Sequence, residues 1–385
     1  TVSDELYLDN RVVLSTAYNR KFSSRASIKA GLTATHLGYD LFYRYLLGDA
    51  YQTYIDEQGG AWLYQPFANL RLRPSSRWVF NLGLHAMYFG LNDTYSVEPR
   101  LGVRYQLSEA ISFDLGYGLH SRLLPIGSYF TLVPDADGGF IQPNRGLGPL
   151  KAHHLVLGYG QEIGGSRRLR LEAYYQRLFD VPVSSGPNST YSLLNQFEGY
   201  TSRALVSEGT GTNLGLDLTF EQFFHQGVFY IIAASLFNST YEALDGKTYD
   251  TRYNSGLATS FMGGKEWPVG ERGTLQTGLR LLYTGGQRLT PILSPQRDPY
   301  DPASPILDES RAFSQQVGAY FRPDLRLAYR KDSPRSAWFI ALDVQNFIAR
   351  ENEDALDYNY DPVLQDWVFG FQSGIVPVLS FQADF

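Results

Sequence analysis

No cysteine occurs in the 385 residues, so disulfides, thiolate metal sites and cysteine nucleophiles are excluded together. No run approaches the roughly 20 consecutive apolar residues that a spanning helix needs, which excludes transmembrane helices. Basic excess is also missing: 33 Lys and Arg against 39 Asp and Glu leave a net charge of -6 and a pI near 5.6. Nucleic acid is therefore not the partner, because that role usually needs a basic surface. Helical spacing with caps is not evident anywhere. Thr1 to Asn10 show no basic segment followed by an apolar one, so no signal peptide is visible and the N-terminus reads as processed or truncated.

What is present is aromatic and polar at once. The chain holds 28 Tyr, 24 Phe, 5 Trp and 37 Gly, yet its mean hydropathy is only -0.25. A transmembrane β-barrel explains both, since its outer face is apolar with aromatic girdles while its interior is polar. The segment Ile375 to Phe385 carries the pattern most clearly. Ile375, Pro377, Leu379, Phe381, Ala383 and Phe385 share one face, Ser380, Gln382 and Asp384 the other, and the chain stops on an aromatic as outer-membrane barrels do.

The same period of two recurs along the chain. Arg168 to Tyr175 sends Leu169, Leu171, Ala173 and Tyr175 one way and Arg168, Arg170, Glu172 and Tyr174 the other. About fifteen such strands are expected, centred near residues 16, 35, 67, 84, 100, 117, 157, 173, 217, 235, 260, 279, 325, 342 and 379. Tight turns are predicted at 23–25, 74–76, 108–110, 164–166, 225–227, 270–273 and 333–335. Long segments at 48–60, 125–150, 181–210, 286–318 and 350–366 alternate with most of them. Short turns on one side and long loops on the other are the habit of outer-membrane barrels, and loops beyond about 15 residues are usually functional. If the last strand runs toward the periplasm, every tight turn is periplasmic. An odd strand count then makes the first strand descend as well, whereas an ordinary closed barrel with both termini in the periplasm needs an even number.

Read in order, several segments resemble the carboxy-terminal part of TonB-dependent outer-membrane receptors, especially those of Bacteroidetes-type bacteria. They are Tyr95 to Gly102, Leu115 to Ser121, Ala152 to Tyr159, Glu172 to Gln176, Glu208 to Asn213, Gly263 to Glu266, Arg311 to Ser314, Leu342 to Asn346 and Gly374 to Val378. The resemblance covers essentially the whole chain, so residues 1–385 are expected to be a single, partial barrel domain. It implies an all-β antiparallel transmembrane barrel of 22 strands, of which these would be the last fifteen. It also implies a plug domain, which is not recognisable here. The implied activity is import of a bulky, scarce nutrient, an iron chelate, a glycan or a peptide, across the bacterial outer membrane. The implied partners are outer-membrane lipid, the extracellular nutrient, the TonB–ExbB–ExbD system acting through the plug segment and, in some members, a surface lipoprotein. Such transport is conformational, so neither enzyme activity nor a cofactor is expected.

Candidate functional residues fall into two sets. Glu98, Arg100, Arg104, Asp114, His120, Arg170, Glu172, Asp217, Glu221, Arg326 and Asp343 occupy polar-face positions, where charge is hydrated or paired. They read as lumen wall and plug-docking residues. Asp298, Tyr300, Asp301, Asp308, Glu309, Asp354, Tyr358, Tyr360 and Trp367 lie in the loops as candidate ligand contacts. Their carboxylates have the chemistry of calcium ligands but lack that loop's spacing and central glycine, so solvated loop charge is the simpler reading. The aromatics can stack on a sugar or chelate, or serve as an interfacial girdle. His153 and His154 point to opposite faces and cannot readily share an ion. His120 and Ser121 likewise face apart, with no nucleophile elbow, and neither Gly209 to Gly211 nor Gly263–Gly264 precedes a helix as a phosphate loop does. A passive porin-like channel and a secreted glycan-binding β-sandwich are the competing readings.

Overall fold

The computed structural model describes residues 3–47, 49–135, 137–196, 199–297, 305–361, 366–372 and 374–385. Fifteen strands follow one another in a single antiparallel path. Strands β1 to β5 are Ser3–Lys21, Ala26–Leu47, Ala50–Leu72, Trp78–Phe89 and Thr94–Gln106. Strands β6 to β10 are Ile111–Arg122, Leu150–Ile163, Arg167–Ser184, Leu205–His225 and Val228–Glu242. Strands β11 to β15 are Leu257–Val269, Gly273–Thr284, Tyr320–Ser333, Ser336–Gln345 and Val376–Asp384. A short strand, Thr248–Asp250, pairs with the far end of β10 beside this path. Each of the fifteen predicted centres falls within one of these strands. Helical structure among the described residues is confined to one turn at Ile126–Tyr129 and three 3-10 turns in the loops.

All seven predicted tight turns lie at one end of the sheet, after β1, β3, β5, β7, β9, β11 and β13. At the opposite end, predicted loops 125–150, 181–210 and 286–318 are present, the middle one shortened because β8 runs on to Ser184 and β9 starts at Leu205. The 350–366 segment also differs from a plain loop. It forms a hairpin of its own, Glu353–Asp361 with Asp366–Phe371, outside the main sheet. One predicted loop, 48–60, is corrected: from Ala50 onward it is strand, paired with the distal half of β2. Gly59 and Gly60, which mimic a loop signal, are needed for close packing instead. A Cβ on Gly60 would lie 2.7 Å from His36 Nε2, and one on Gly59 3.0 Å from the Tyr39 hydroxyl.

Register converts the alternation into two faces. Leu115, Leu157, Ala173, Leu216 and Leu236 are successive cross-strand partners. So are Leu327, Leu342 and Leu379. No second layer covers them: Leu157 is 54% exposed and Leu216 48%. One residue over, the row Arg104, Asp114, Gly158, Glu172, Asp217 and Ser235 runs along the opposite, polar face. A sandwich would bury the apolar row between two sheets; here it is the outer surface of one sheet.

Aromatic side chains bracket that apolar band. Near the tight turns, Trp78 packs on Tyr105 with ring centroids 4.5 Å apart, Phe113 on Tyr159 at 5.5 Å and Tyr329 on Trp338 at 5.4 Å. At the other margin, Trp62 stacks on Tyr64 at 5.9 Å and His153 on Phe179 at 5.2 Å. The cations on this face sit in the margins: Lys265 places its Nζ 3.8 Å over the Trp267 ring, and Lys151 lies 5.9 Å from Phe179. That is the snorkelling arrangement that keeps an ammonium out of hydrocarbon.

Among the described residues the sheet does not close on itself: β1 pairs only with β2 and β15 only with β14. Both edge strands are exposed along nearly their whole length.

Candidate functional site

Every residue of the first candidate set lies on the polar face. Most are matched in ion pairs between strands or along one strand. Arg104 grips Asp114 with two hydrogen bonds, Nε to Oδ1 at 2.7 Å and a terminal nitrogen to Oδ2 at 3.2 Å. Arg326 donates to both oxygens of Asp343 at 2.8 Å. Glu221 accepts from Arg168 at 2.8 Å, Arg170 lies 3.3 Å from Glu172, and Asp217 accepts from the Ser235 hydroxyl at 2.5 Å. Exposed pairs of this kind contribute little stability, about 0–1 kcal/mol each. Their effect is to hold a charged wall in fixed register.

Glu98 differs from these because it is buried, at 1% exposure. Its Oε2 lies 2.9 Å from His85 Nδ1 and accepts from Arg100 at 2.7 Å, while Oε1 accepts from the Ser96 hydroxyl at 3.0 Å and from Ser121. A buried carboxylate is tolerable only with such partners. The sequence pointed to Glu98 and Arg100 but not to His85, Ser96 or Ser121, whose meeting requires three strands in register. His120 and Asp114 share the polar face but not an interaction: Asp114 is held by Arg104, and the His120 ring lies edge-on to His154, centroids 6.2 Å apart. His153, on the other face, contacts the Tyr117 hydroxyl at 3.0 Å.

The loop candidates divide differently. Asp298, Tyr300 and Asp301 lie outside the described residues. Asp354, Tyr358, Tyr360 and Trp367 belong to the accessory hairpin, where the backbones of Tyr360 and Trp367 pair; their side chains lie outside the described set. Asp308 caps the turn Glu309–Arg311 by accepting from the Ser310 amide at 3.2 Å. Glu309 accepts from Arg203 at 3.0 Å and from the Thr190 amide at 3.2 Å, so it ties two loops together. Both are thus engaged in loop architecture.

That tie is one of several. Asn144, fully buried, donates to the Arg203 carbonyl at 2.9 Å and accepts from the Leu205 amide at 2.8 Å. Thr131 donates to the Thr201 carbonyl at 2.6 Å, and Arg288 pairs with Asp250 at 2.9 Å. Two apolar clusters lie beneath. One packs Tyr39, Leu41, Tyr43 and Ile55 of the β2–β3 hairpin against Leu124, Tyr129 and Phe130 of the 123–149 loop. The other joins Val181, Val183, Tyr241 and Ala243. Fully burying side chains such as Tyr129 and Phe130 is favourable by about 1.5–3 kcal/mol each. Burial also pushes the Tyr129 phenol up to about 12. Linked loops seated on these two clusters make this end a structured cap.

One antiparallel sheet with an exposed apolar band between two aromatic girdles, short turns at one end and folded loops at the other defines an outer-membrane β-barrel wall. The sequence is of one such family in particular: residues 3–347 match the model for the TonB dependent receptor-like β-barrel, and the chain belongs to that family of non-enzymatic outer-membrane barrels. The fold agrees with solved receptors. The ferric yersiniabactin uptake receptor FyuA of Yersinia pestis is 12% identical, with a TM-score of 0.67, over 100% of this chain and 55% of that one. The outer membrane transporter YddB of Escherichia coli is 15% identical, with a TM-score of 0.65, over 97% and 54%. BauA, the ferric preacinetobactin receptor of Acinetobacter baumannii, is 12% identical at 0.65, over 100% and 55%. The chain therefore spans about half the length of these receptors. No curated protein matches it in sequence.

Proposed function

We propose that this chain is the ligand-capturing barrel of a TonB-dependent importer for a bulky, scarce nutrient, within the set of iron chelates, glycans and peptides. The observation that carries the reading is the interlocked loop cap standing at one end of a sheet whose other face is a wall of fixed ion pairs. Two of the structural neighbours, FyuA and BauA, are receptors for ferric yersiniabactin and ferric preacinetobactin, and that favours an iron chelate among the three. Residues 1–385 act as one barrel domain, supported by the uninterrupted strand path. The Bacteroidetes-type assignment rests on the sequence segments alone.

In this reading Glu98, Arg100, Arg104, Asp114, His120, Arg170, Glu172, Asp217, Glu221, Arg326 and Asp343 line the lumen and meet a plug. Coupling to TonB–ExbB–ExbD runs through that plug, and a surface lipoprotein assists capture. The loop candidates Asp298, Tyr300, Asp301, Asp354, Tyr358, Tyr360 and Trp367 contact the nutrient. Deleting the gene should abolish high-affinity uptake of one nutrient class under starvation, and loss of TonB or collapse of the proton gradient should do the same. Uptake that persists without TonB, or steady ion conductance from the natural full-length protein in planar bilayers, would overturn the proposal in favour of a passive channel.

A further inference from the structure

The two apolar clusters under the loops do not merge, and their seam is hollow. A cavity of about 410 Å³ opens there, at the distal ends of β6, β7 and β8. One wall comes from side chains packed on the first cluster, Leu123, Leu124 and Leu193. The other comes from Leu150 and Leu194, packed on the second, with Pro182 between the buried Val181 and Val183. This volume lies within the range of small-molecule sites, about 300–1,000 Å³, which are mostly apolar with a few placed polar groups.

The polar groups here are few and of one sign. Arg122, Gln196 and Tyr253 line the cavity, and among the described residues no carboxylate does. Arg122, exposed at the end of β6 and paired in register with Leu150, makes no hydrogen bond or ion pair among the described residues. On the ion-paired wall described above, by contrast, the arginines of the candidate set are matched to acids. A guanidinium left without a partner at the edge of an apolar hollow is placed to take an anion bidentately. Tyr253 completes the lining with a ring on which a flat apolar body can stack.

We propose that this cavity is a ligand chamber for an amphipathic anion. Its apolar body fills the seam between the clusters while its carboxylate or similar group pairs with Arg122. Resting on the importer reading, the assignment narrows the nutrient to one with an apolar arm and a negative charge. Filling the hollow would also couple the 123–149 and 185–204 loops, since each supplies part of the lining.

The test is binding, read separately from uptake. The natural full-length protein in lipid nanodiscs is titrated by calorimetry with naphthalene-2-carboxylate and with its uncharged amide, against empty nanodiscs as background. The carboxylate should bind more tightly than the amide, and Arg122→Gln should weaken the carboxylate by about tenfold or more while leaving the amide unchanged. Leu194→Glu should weaken both probes. Leu150→Met, a volume-conserving change, keeps the result interpretable if that variant misfolds, because it should preserve binding. No binding above empty nanodiscs, equal affinity for the two probes, or a carboxylate affinity indifferent to Arg122 would overturn the chamber. A protein that binds as expected yet imports without TonB would leave the chamber standing and remove only the importer reading.

Discussion

Replacing Leu216 with Arg tests which side of the sheet meets hydrocarbon. Leu216 lies in the middle of the apolar row, with Leu214 and Leu218 beside it on the same face of β9 and with Ala173 and Leu236 as its cross-strand partners. It therefore sits inside the apolar band. A lipid-facing Arg at that depth costs about 2–4 kcal/mol, so the folding equilibrium should fall by about 30- to 900-fold. Its sequence neighbour Asp217 faces the other way and accepts one hydroxyl hydrogen bond. Asp217→Asn should therefore cost under about 1 kcal/mol. The assay is reversible folding into lipid vesicles across a guanidinium titration, followed by tryptophan fluorescence and by the heat-dependent shift of the folded band on gels. A cost for Leu216→Arg below about 1 kcal/mol, or no larger than that for Asp217→Asn, would refute the orientation of the sheet.

Glu98→Ala should destabilise by about 3 kcal/mol, since it strands His85, Arg100 and two serines around a buried hole; the same vesicle titration measures it. Arg203→Ala should release the contact with Glu309 and speed proteolytic cutting within 185–204 on intact cells, with little change in the strands. The cap should loosen at high pH. Because the Tyr129 phenol is raised to about 12 when folded, its contribution is complete below the unfolded value of 10 and is lost as pH rises from there through about 12. Tyr129→Phe should remove that part of the alkaline transition, followed by ultraviolet absorbance of tyrosinate.

Period-two patterning made the strands legible, because on a sheet wetted by lipid on one side and water on the other each residue reports its own face. Leu171 beside Glu172, and Leu216 beside Asp217, carry that information without any knowledge of the partner strands. Turns such as Gly164 to Ser166 were legible for a similar reason: their constraint is local, with Gly164 and Gly165 at positive φ. The region 48–60 was misread because Gly59 and Gly60 answer to Tyr39 and His36 across the strand pair, a contact that sequence order does not display. Site residues followed the same division. Arg104 with Asp114 is predictable as wall chemistry, whereas the roles of Glu309 as a loop tie and Arg122 as cavity lining arise only when segments about 70 to 106 residues apart are folded together. Nothing in their immediate neighbours sets them apart.

Asn144 sits at the crossing of two surface segments, satisfied on both its oxygen and its nitrogen by backbone of the second. Exchanging either segment alone would leave that amide, or its two backbone partners, unpaired in a dry place. If the importer proposal holds, new ligand preferences should therefore arise by paired substitutions or by exchange of both segments as a block, and grafting a single one from a relative should yield a barrel that inserts normally but no longer binds the nutrient.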